Sequence, residues 1–312
     1  MPAENATGPK VDFHQGTVRI FGVSDDFIVK VLPDIPFVWD RREACFRTDA
    51  MFADAIWMAF SKSLAGNVQW CVGRDVGADD FGPLSIADRR KTKLRSDQVD
   101  AVTAFEDGGG RGLVVMPTGT GKTVVALELM IRHQCSTLVV VPVRDLMYQW
   151  HEKILQSTGI DAGLIGDGVH RVSPISVTTY DSAAIHMPRL GDRFRMVVFD
   201  EVHHLAGPWR SDAARMSIAK YRLGLTATLP GDSERVELLH HLIGPTLYHQ
   251  TITEAAGNKR TGFVVGILFL ELNGYHFTAS EEDAAQAVLG LAAGTLDEQG
   301  YAAFLRANAS FL

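Results

Sequence analysis

From Leu94 onward, apolar positions fall into short runs separated by stretches with helical spacing. Leu113 to Met116, Thr137 to Val141, Ile175 to Thr179, Phe194 to Phe199 and Tyr221 to Thr226 read as strands. Leu94 to Phe105, Thr123 to His133 and Leu146 to Leu155 read as helices. The strand runs are mostly apolar rather than strictly alternating, which is the pattern of a sheet covered on both faces. Strands of this kind alternating with helices predict an α/β domain with a parallel sheet. The ligand of such a sheet is expected at the carboxyl ends of its strands.

Before residue 79 the pattern changes. Val18 to Phe21 alternates like a strand, and Phe27 to Leu32 reads as another. Phe37 to Arg42 and Ala44 to Arg47 read as two short strands around a charged turn. Asp49 to Leu64 has helical spacing, with an N-cap at Thr48 or Asp49. The expected organisation is a disordered lead over 1–12, a small α+β module over 13–78, a linker over 79–93, the main α/β domain over 94–260 and a further segment over 261–312. Two features of the first part admit two readings each. Trp39, Arg41, Arg42 and Arg47 suit either contact with nucleic acid or a core tryptophan beside a solvated turn. The run Arg89-Arg90-Lys91-Thr92-Lys93 suits either a solvated face or contact with phosphates.

Composition narrows this only a little. The chain has 312 residues, 46% of them hydrophobic and 21% charged, with a formal net charge of −7. That is an ordinary globular composition, and any nucleic-acid-binding surface must be local rather than global. Cys45, Cys71 and Cys135 have no metal-ligand spacing, and the adjacent pairs His203-His204 and His240-His241 point in different directions on any regular element. The polar start contains no signal peptide, and the longest apolar run, Phe263 to Leu270, is too short to cross a bilayer. A soluble cytoplasmic protein without a membrane partner is expected, associated with the nucleoid in a prokaryote.

The chemistry concentrates at strand ends. Met116-Pro117-Thr118-Gly119-Thr120-Gly121-Lys122-Thr123 lies between an apolar strand and a helix, the context of a phosphate-binding loop. Backbone N–H groups and a helix N-terminus converge there, glycines let the backbone approach phosphate, Lys122 reaches the terminal phosphates and the Thr123 hydroxyl suits Mg2+. Phe199 runs into Asp200-Glu201. There Asp200 suits the metal ion and Glu201 the activation of an attacking water. The strand at Leu223 ends in Thr226-Ala227-Thr228, whose hydroxyls can bond back toward Asp200.

Several segments occur in a telling order: Leu94-Arg95-Ser96-Asp97-Gln98, the loop 116–123, Pro142-Val143-Arg144-Asp145-Leu146 with Gln149-Trp150, Thr178-Thr179-Tyr180-Asp181-Ser182-Ala183, Asp200-Glu201-Val202-His203-His204-Leu205, and Arg222-Leu223-Gly224-Leu225-Thr226-Ala227-Thr228. This order resembles superfamily 2 helicases, and among them the XPB (Rad25) branch. The resemblance implies a RecA-like P-loop NTPase domain over 94–260 that uses ATP and Mg2+. Arg95 and Gln98 would meet adenine, and Thr118, Gly119, Thr120, Gly121, Lys122 and Thr123 the phosphates. His203, Thr226, Ala227 and Thr228 would couple hydrolysis to DNA, with Arg144, Thr178 and Thr179 on the nucleic acid.

The small N-terminal module is similar to a DNA-recognition domain of that branch, and DNA-dependent ATP hydrolysis in repair is the implied role. The family's Arg-Glu-Asp triplet is absent, since Leu229 is followed by Pro230-Gly231-Asp232. Residues 261–312 resemble only the start of a second RecA-like domain, so weak hydrolysis is expected without that domain's arginine. Two alternatives are a restriction or phage-defence motor, and a non-motor module that recruits a partner such as a nuclease.

Overall fold

The computed structural model describes residues 8–64, 67–71, 81, 84–251, 275–280, 283, 287 and 298–311. The apolar run Phe263 to Leu270 and most of the segment expected to begin a second domain lie outside them. The N-terminal part contains β1 (Lys10–His14), β2 (Thr17–Phe21), α1 (Asp25–Val31), β3 (Val38–Asp40), β4 (Cys45–Asp49), α2 (Ala53–Ser63) and β5 (Gln69–Trp70). Its sheet has the order β3-β4-β2-β1-β5. One face packs Val11, Val18, Ile20 and Phe46 against Ile28 of α1 and Ile56 and Phe60 of α2. The other carries Arg19, held by Asp12 at 2.7 Å, and Arg47, held by Asp40 at 2.7 Å.

Three expectations fail in this part. Strand β1 begins at Lys10, inside the stretch read as a disordered lead. Phe27 to Leu32 is helical rather than extended, because Ser24 caps the Phe27 amide and two acidic residues occupy the first turn. Only Ile28 and Leu32 are buried, and their spacing of four is that of one helical face. Neither proposed cap of the next helix caps it. Asp49 precedes a short 3-10 turn without a side-chain hydrogen bond, and α2 starts after Phe52.

The segment read as a linker is strapped to the main domain. The Gln134 amide brackets Ile86, accepting from its N–H at 2.6 Å and donating to its carbonyl at 2.9 Å. Arg90 is engaged by Asp88 at 2.8 Å and by Glu128. Of the two readings of the basic run, contact with phosphate therefore does not apply to Arg90.

The main domain contains α3 (Ser96–Asp107), β6 (Arg111–Val115), α4 (Lys122–His133), β7 (Thr137–Val141), α5 (Arg144–Thr158), β8 (Gly163–Gly166), β9 (Val169–Arg171), β10 (Ile175–Thr179), α6 (Tyr180–Leu190), β11 (Met196–Asp200), α7 (Asp212–Arg215), β12 (Tyr221–Thr226), α8 (Ser233–Leu242) and β13 (Thr246–His249). The sheet order is β13-β6-β12-β11-β7-β10-β8-β9, parallel except for the β8–β9 hairpin. Successive residues of each strand face opposite layers. Val139 and Val141 pack with α3, α4 and α5, whereas Leu138 and Val140 pack with α6 and α8. Both faces are covered, as the continuous apolar strands require. The hairpin was not expected, since β8 is bounded by glycines and β9 is exposed throughout.

β6 and β7 are consecutive in the chain, yet β12 and β11 lie between them. That crossover sets the ends of β11 and β12 beside the start of the loop after β6.

Arg222 on β12 is fully buried. It donates to the carbonyls of Ala214 (2.9 Å), Leu242 (3.1 Å), Ala219 (3.3 Å) and Ser217. It thereby ties β12 to the segments after α7 and at the end of α8, and burial pushes its pKa well down. Arg222→Met would leave those carbonyls without donors. The expected cost is about 3 kcal/mol or more of unfolding free energy, read as a lowered midpoint in chemical denaturation.

Candidate functional site

The loop after β6 turns on two left-handed glycines, Gly119 at φ 81° and Gly121 at φ 87°. At Gly121 a Cβ would also collide with the Gln98 amide. Thr120 is buried, its hydroxyl donating to Pro117 O at 2.6 Å, whereas Thr118 is exposed. Lys122 opens α4 and folds back over the loop, with Nζ 3.2 Å from Met116 O and 3.7 Å from Glu201 Oε1. Thr123 follows in the first turn of α4 and is partly exposed. Gln98 donates to Thr120 O at 3.1 Å, and Arg95 donates to the same carbonyl. The start of α3 is thus bonded directly to the loop.

At the end of β11 the chain presents Asp200, largely buried. Its Oδ2 accepts from Trp150 Nε1 at 2.7 Å, its Oδ1 from the Glu201 amide at 3.1 Å, and its backbone carbonyl from the Tyr180 hydroxyl at 3.0 Å. Burial raises the pKa of this carboxyl, outweighing the Trp150 hydrogen bond that opposes it. Glu201 adopts a left-handed conformation at φ 46°, which turns its side chain toward Lys122 and His203. The Thr226 hydroxyl, at the end of β12, donates to Thr228 O at 2.8 Å and lies 3.1 Å from His203 Nδ1 and 3.5 Å from Glu201 Oε2. Met116 N donates to Thr226 O at 3.0 Å. Lys122, Asp200, Glu201, His203 and Thr226 therefore form one cluster. Ala227 and Thr228 continue from it toward the surface.

The residues expected on nucleic acid separate. Arg144 and Thr179 line a cleft of about 800 Å3 at the other half of the same sheet edge, together with Asp167, His170 and His186. The Arg144 side chain is 68% exposed and reaches Asp167 at 2.6 Å, while Thr179 caps α6 by accepting from Ser182 N at 3.3 Å. Thr178 points the other way and is buried, its hydroxyl donating to Ile165 O at 2.7 Å. It cannot reach a ligand in the cleft, because adjacent strand residues face opposite layers. Sequence reasoning also passed over Trp150 and Tyr180 as site residues. Both stood in the quoted segments, but only the fold brings them to Asp200.

Residues 91–231 match the family model described as Type III restriction enzyme, res subunit. Among curated proteins the chain is similar to the DNA 3'-5' translocase XPB2 of Sulfurisphaera tokodaii, at 41% identity over 182 residues, covering 58% of this chain and 41% of that protein. It is 37% identical over 157 residues to the putative DNA 3'-5' helicase Rad25 of Halobacterium salinarum, covering 48% of this chain and 26% of that one. Residues 91–231 thus resemble the res subunit family, and about half of the chain resembles XPB-type DNA helicases and translocases. The match to the translocase spans about two-fifths of its length, and the match to Rad25 about a quarter. The similarity therefore describes a helicase-type core and not the whole of either relative. No helix among the described residues is long and apolar enough to cross a membrane.

The raised carboxyl of Asp200 has a measurable consequence for the domain in metal-free buffer. A carboxyl whose pKa is higher folded than unfolded favours the folded state below the unfolded value, near ~4, and that contribution is lost as pH rises through the folded value. Asp200→Asn is expected to raise the melting temperature at pH 8, with the gain shrinking as the pH is lowered toward the ordinary carboxylate range. Paired thermal melts across pH check this.

Proposed function

We propose that this chain is the ATP- and DNA-binding portion of an XPB-like DNA translocase, coupling ATP hydrolysis with Mg2+ to movement on DNA. The observation that supports it most is the convergence of Lys122, Asp200, Glu201 and Thr226 from the ends of three neighbouring strands. The donor set suits the ligand. Two left-handed glycines leave the loop open to a polyphosphate, and Lys122 Nζ has one hydrogen bond, to Met116 O. The Asp200 carboxylate and the Thr123 hydroxyl are the hard oxygen ligands that Mg2+ takes.

In this reading Lys122 holds the terminal phosphates, and Thr123 and Asp200 would hold Mg2+, which would supply positive charge to the phosphates when bound. Trp150 fixes the orientation of Asp200. Glu201 accepts a proton from the attacking water, and its place beside His203 and Thr226 links the reacting end of the site to the Thr226-Ala227-Thr228 strand end. Arg95 and Gln98 border the base. Arg144 and Thr179 contact DNA phosphates in the cleft, so binding is independent of sequence and weakens with salt. Duplex, junction or damaged DNA are the candidate substrates, and repair the candidate setting. The named relatives, a translocase and a helicase, favour this reading over the nuclease-recruiting alternative, and the restriction-motor alternative is carried only by the description of the matching family model.

Phosphate release with and without DNA tests the reading. DNA is expected to stimulate turnover, and both Lys122→Ala and Glu201→Gln to lower it at least about 100-fold, with Glu201→Gln still binding ATP. Turnover untouched by Lys122→Ala would overturn the assignment. Trp150→Phe keeps the packing of α5 but removes the donor to Asp200, and is expected to weaken Mg2+-dependent nucleotide binding roughly ten-fold in a titration of the metal.

A further inference from the structure

The β8–β9 hairpin closes on the two-residue loop Asp167-Gly168, between the paired residues Gly166 and Val169. Both loop residues have positive φ, 52° and 76°, the type I′ form that suits the twist of a hairpin and is usually built from Asn-Gly or Asp-Gly. An aspartate is therefore at home here for local reasons. Its carboxylate, however, reaches across to α5. Asp167 Oδ1 lies 2.6 Å from Arg144 Nη1, and Oδ2 accepts from the Tyr148 hydroxyl at 2.9 Å.

Arg144 and Tyr148 stand one helical turn apart, so their side chains emerge on one face of α5. Both are exposed, Tyr148 to 44%. An ion pair in such contact with solvent adds little to stability, so folding does not explain why two donors converge on this one carboxylate. Their position does. Among the described residues lining the cleft, Arg144 is the only lysine or arginine, set against Asp145, Asp167 and Asp181. With Arg144 turned to Asp167, the lining holds no uncommitted lysine or arginine for a DNA phosphate.

A carboxylate held by a guanidinium and a hydroxyl occupies the place that a phosphate would take, because both anions accept from the same donors. We propose that Arg144 and Tyr148 form a single phosphate subsite on the DNA path, with the Asp167 carboxylate as its resident competitor. DNA enters the subsite by displacing Asp167, which stays tethered on the hairpin turn and recaptures the two donors when the phosphate leaves. A tethered competitor weakens every phosphate contact alike and favours release, which suits a protein that moves along DNA. This rests on the reading of the cleft as the DNA path.

Fluorescence anisotropy of a labelled partial duplex of mixed sequence, over a salt series without nucleotide, tests the proposal on the full chain. Asp167→Asn removes the charge and leaves Asn-Gly, a pair this turn prefers, so the hairpin is kept. It is expected to bind DNA about three- to five-fold more tightly than the unsubstituted chain, and to steepen the dependence of log affinity on log salt by about one. In an Arg144→Ala background the same substitution is expected to gain less than about 1.5-fold. Adding Tyr148→Phe to Asp167→Asn is expected to weaken binding about five-fold.

No gain from Asp167→Asn overturns the proposal. So does an equal gain in both backgrounds, which would report only the overall charge of the cleft. Absence of any loss from Tyr148→Phe overturns the shared subsite. Arg144→Ala that weakens both backgrounds alike sinks the proposal but leaves the cleft as the DNA path, whereas Arg144→Ala without effect in either background sinks that reading itself.

Discussion

The site depends on keeping an ionisable carboxylate at the end of a buried strand. Asp200 sits where water is scarce, and its charge is tolerable only because the Trp150 indole and the Glu201 amide donate to it. Each donor has a structural consequence. The indole fastens α5 to β11 across the upper layer. The amide bends the backbone immediately after the strand, and the Tyr180 hydroxyl secures that bend from the lower layer through the Asp200 carbonyl. Three elements on two faces of the sheet are thus registered on a single residue.

Most of the sheet was legible because β6, β7 and β11 are predominantly apolar, so burial on both faces follows without knowledge of the partners. The loop, Asp200, Glu201 and Thr226 were legible for a related reason. Each stands at or just past the end of such a strand, and strand ends of a parallel sheet share one edge. What sequence did not reveal depends on which elements pack together. Phe27 to Leu32 has the composition of a strand, and only the Ser24 cap and the burial of Ile28 and Leu32 decide for a helix. Thr178 and Thr179 are equivalent on paper, but the pleat sends one into the sheet and the other into the cleft. Trp150 acquires meaning through a bond spanning 50 residues of chain, which no local pattern encodes.

The N-terminal module is joined to the main domain by packing as well as by sequence. Ile218 completes its core, Met51 enters the core of its neighbour, and Arg215 approaches Asp49 at 3.8 Å. The Arg19 and Arg47 guanidinium groups are paired with Asp12 and Asp40. Of the basic residues singled out in the hairpin, Arg47 is therefore neutralised locally, whereas Arg41 and Arg42 stand exposed at the turn.

The left-handed backbone at Glu201 carries a further implication. A residue with a Cβ held at φ 46° is less favourable than glycine or asparagine there, by about 1 kcal/mol or more. Selection for heat resistance alone would therefore drift toward Gly or Asn at this position, and every such drift would delete the carboxylate facing Lys122. A library screened separately for folding and for turnover would therefore show opposite preferences at this one residue.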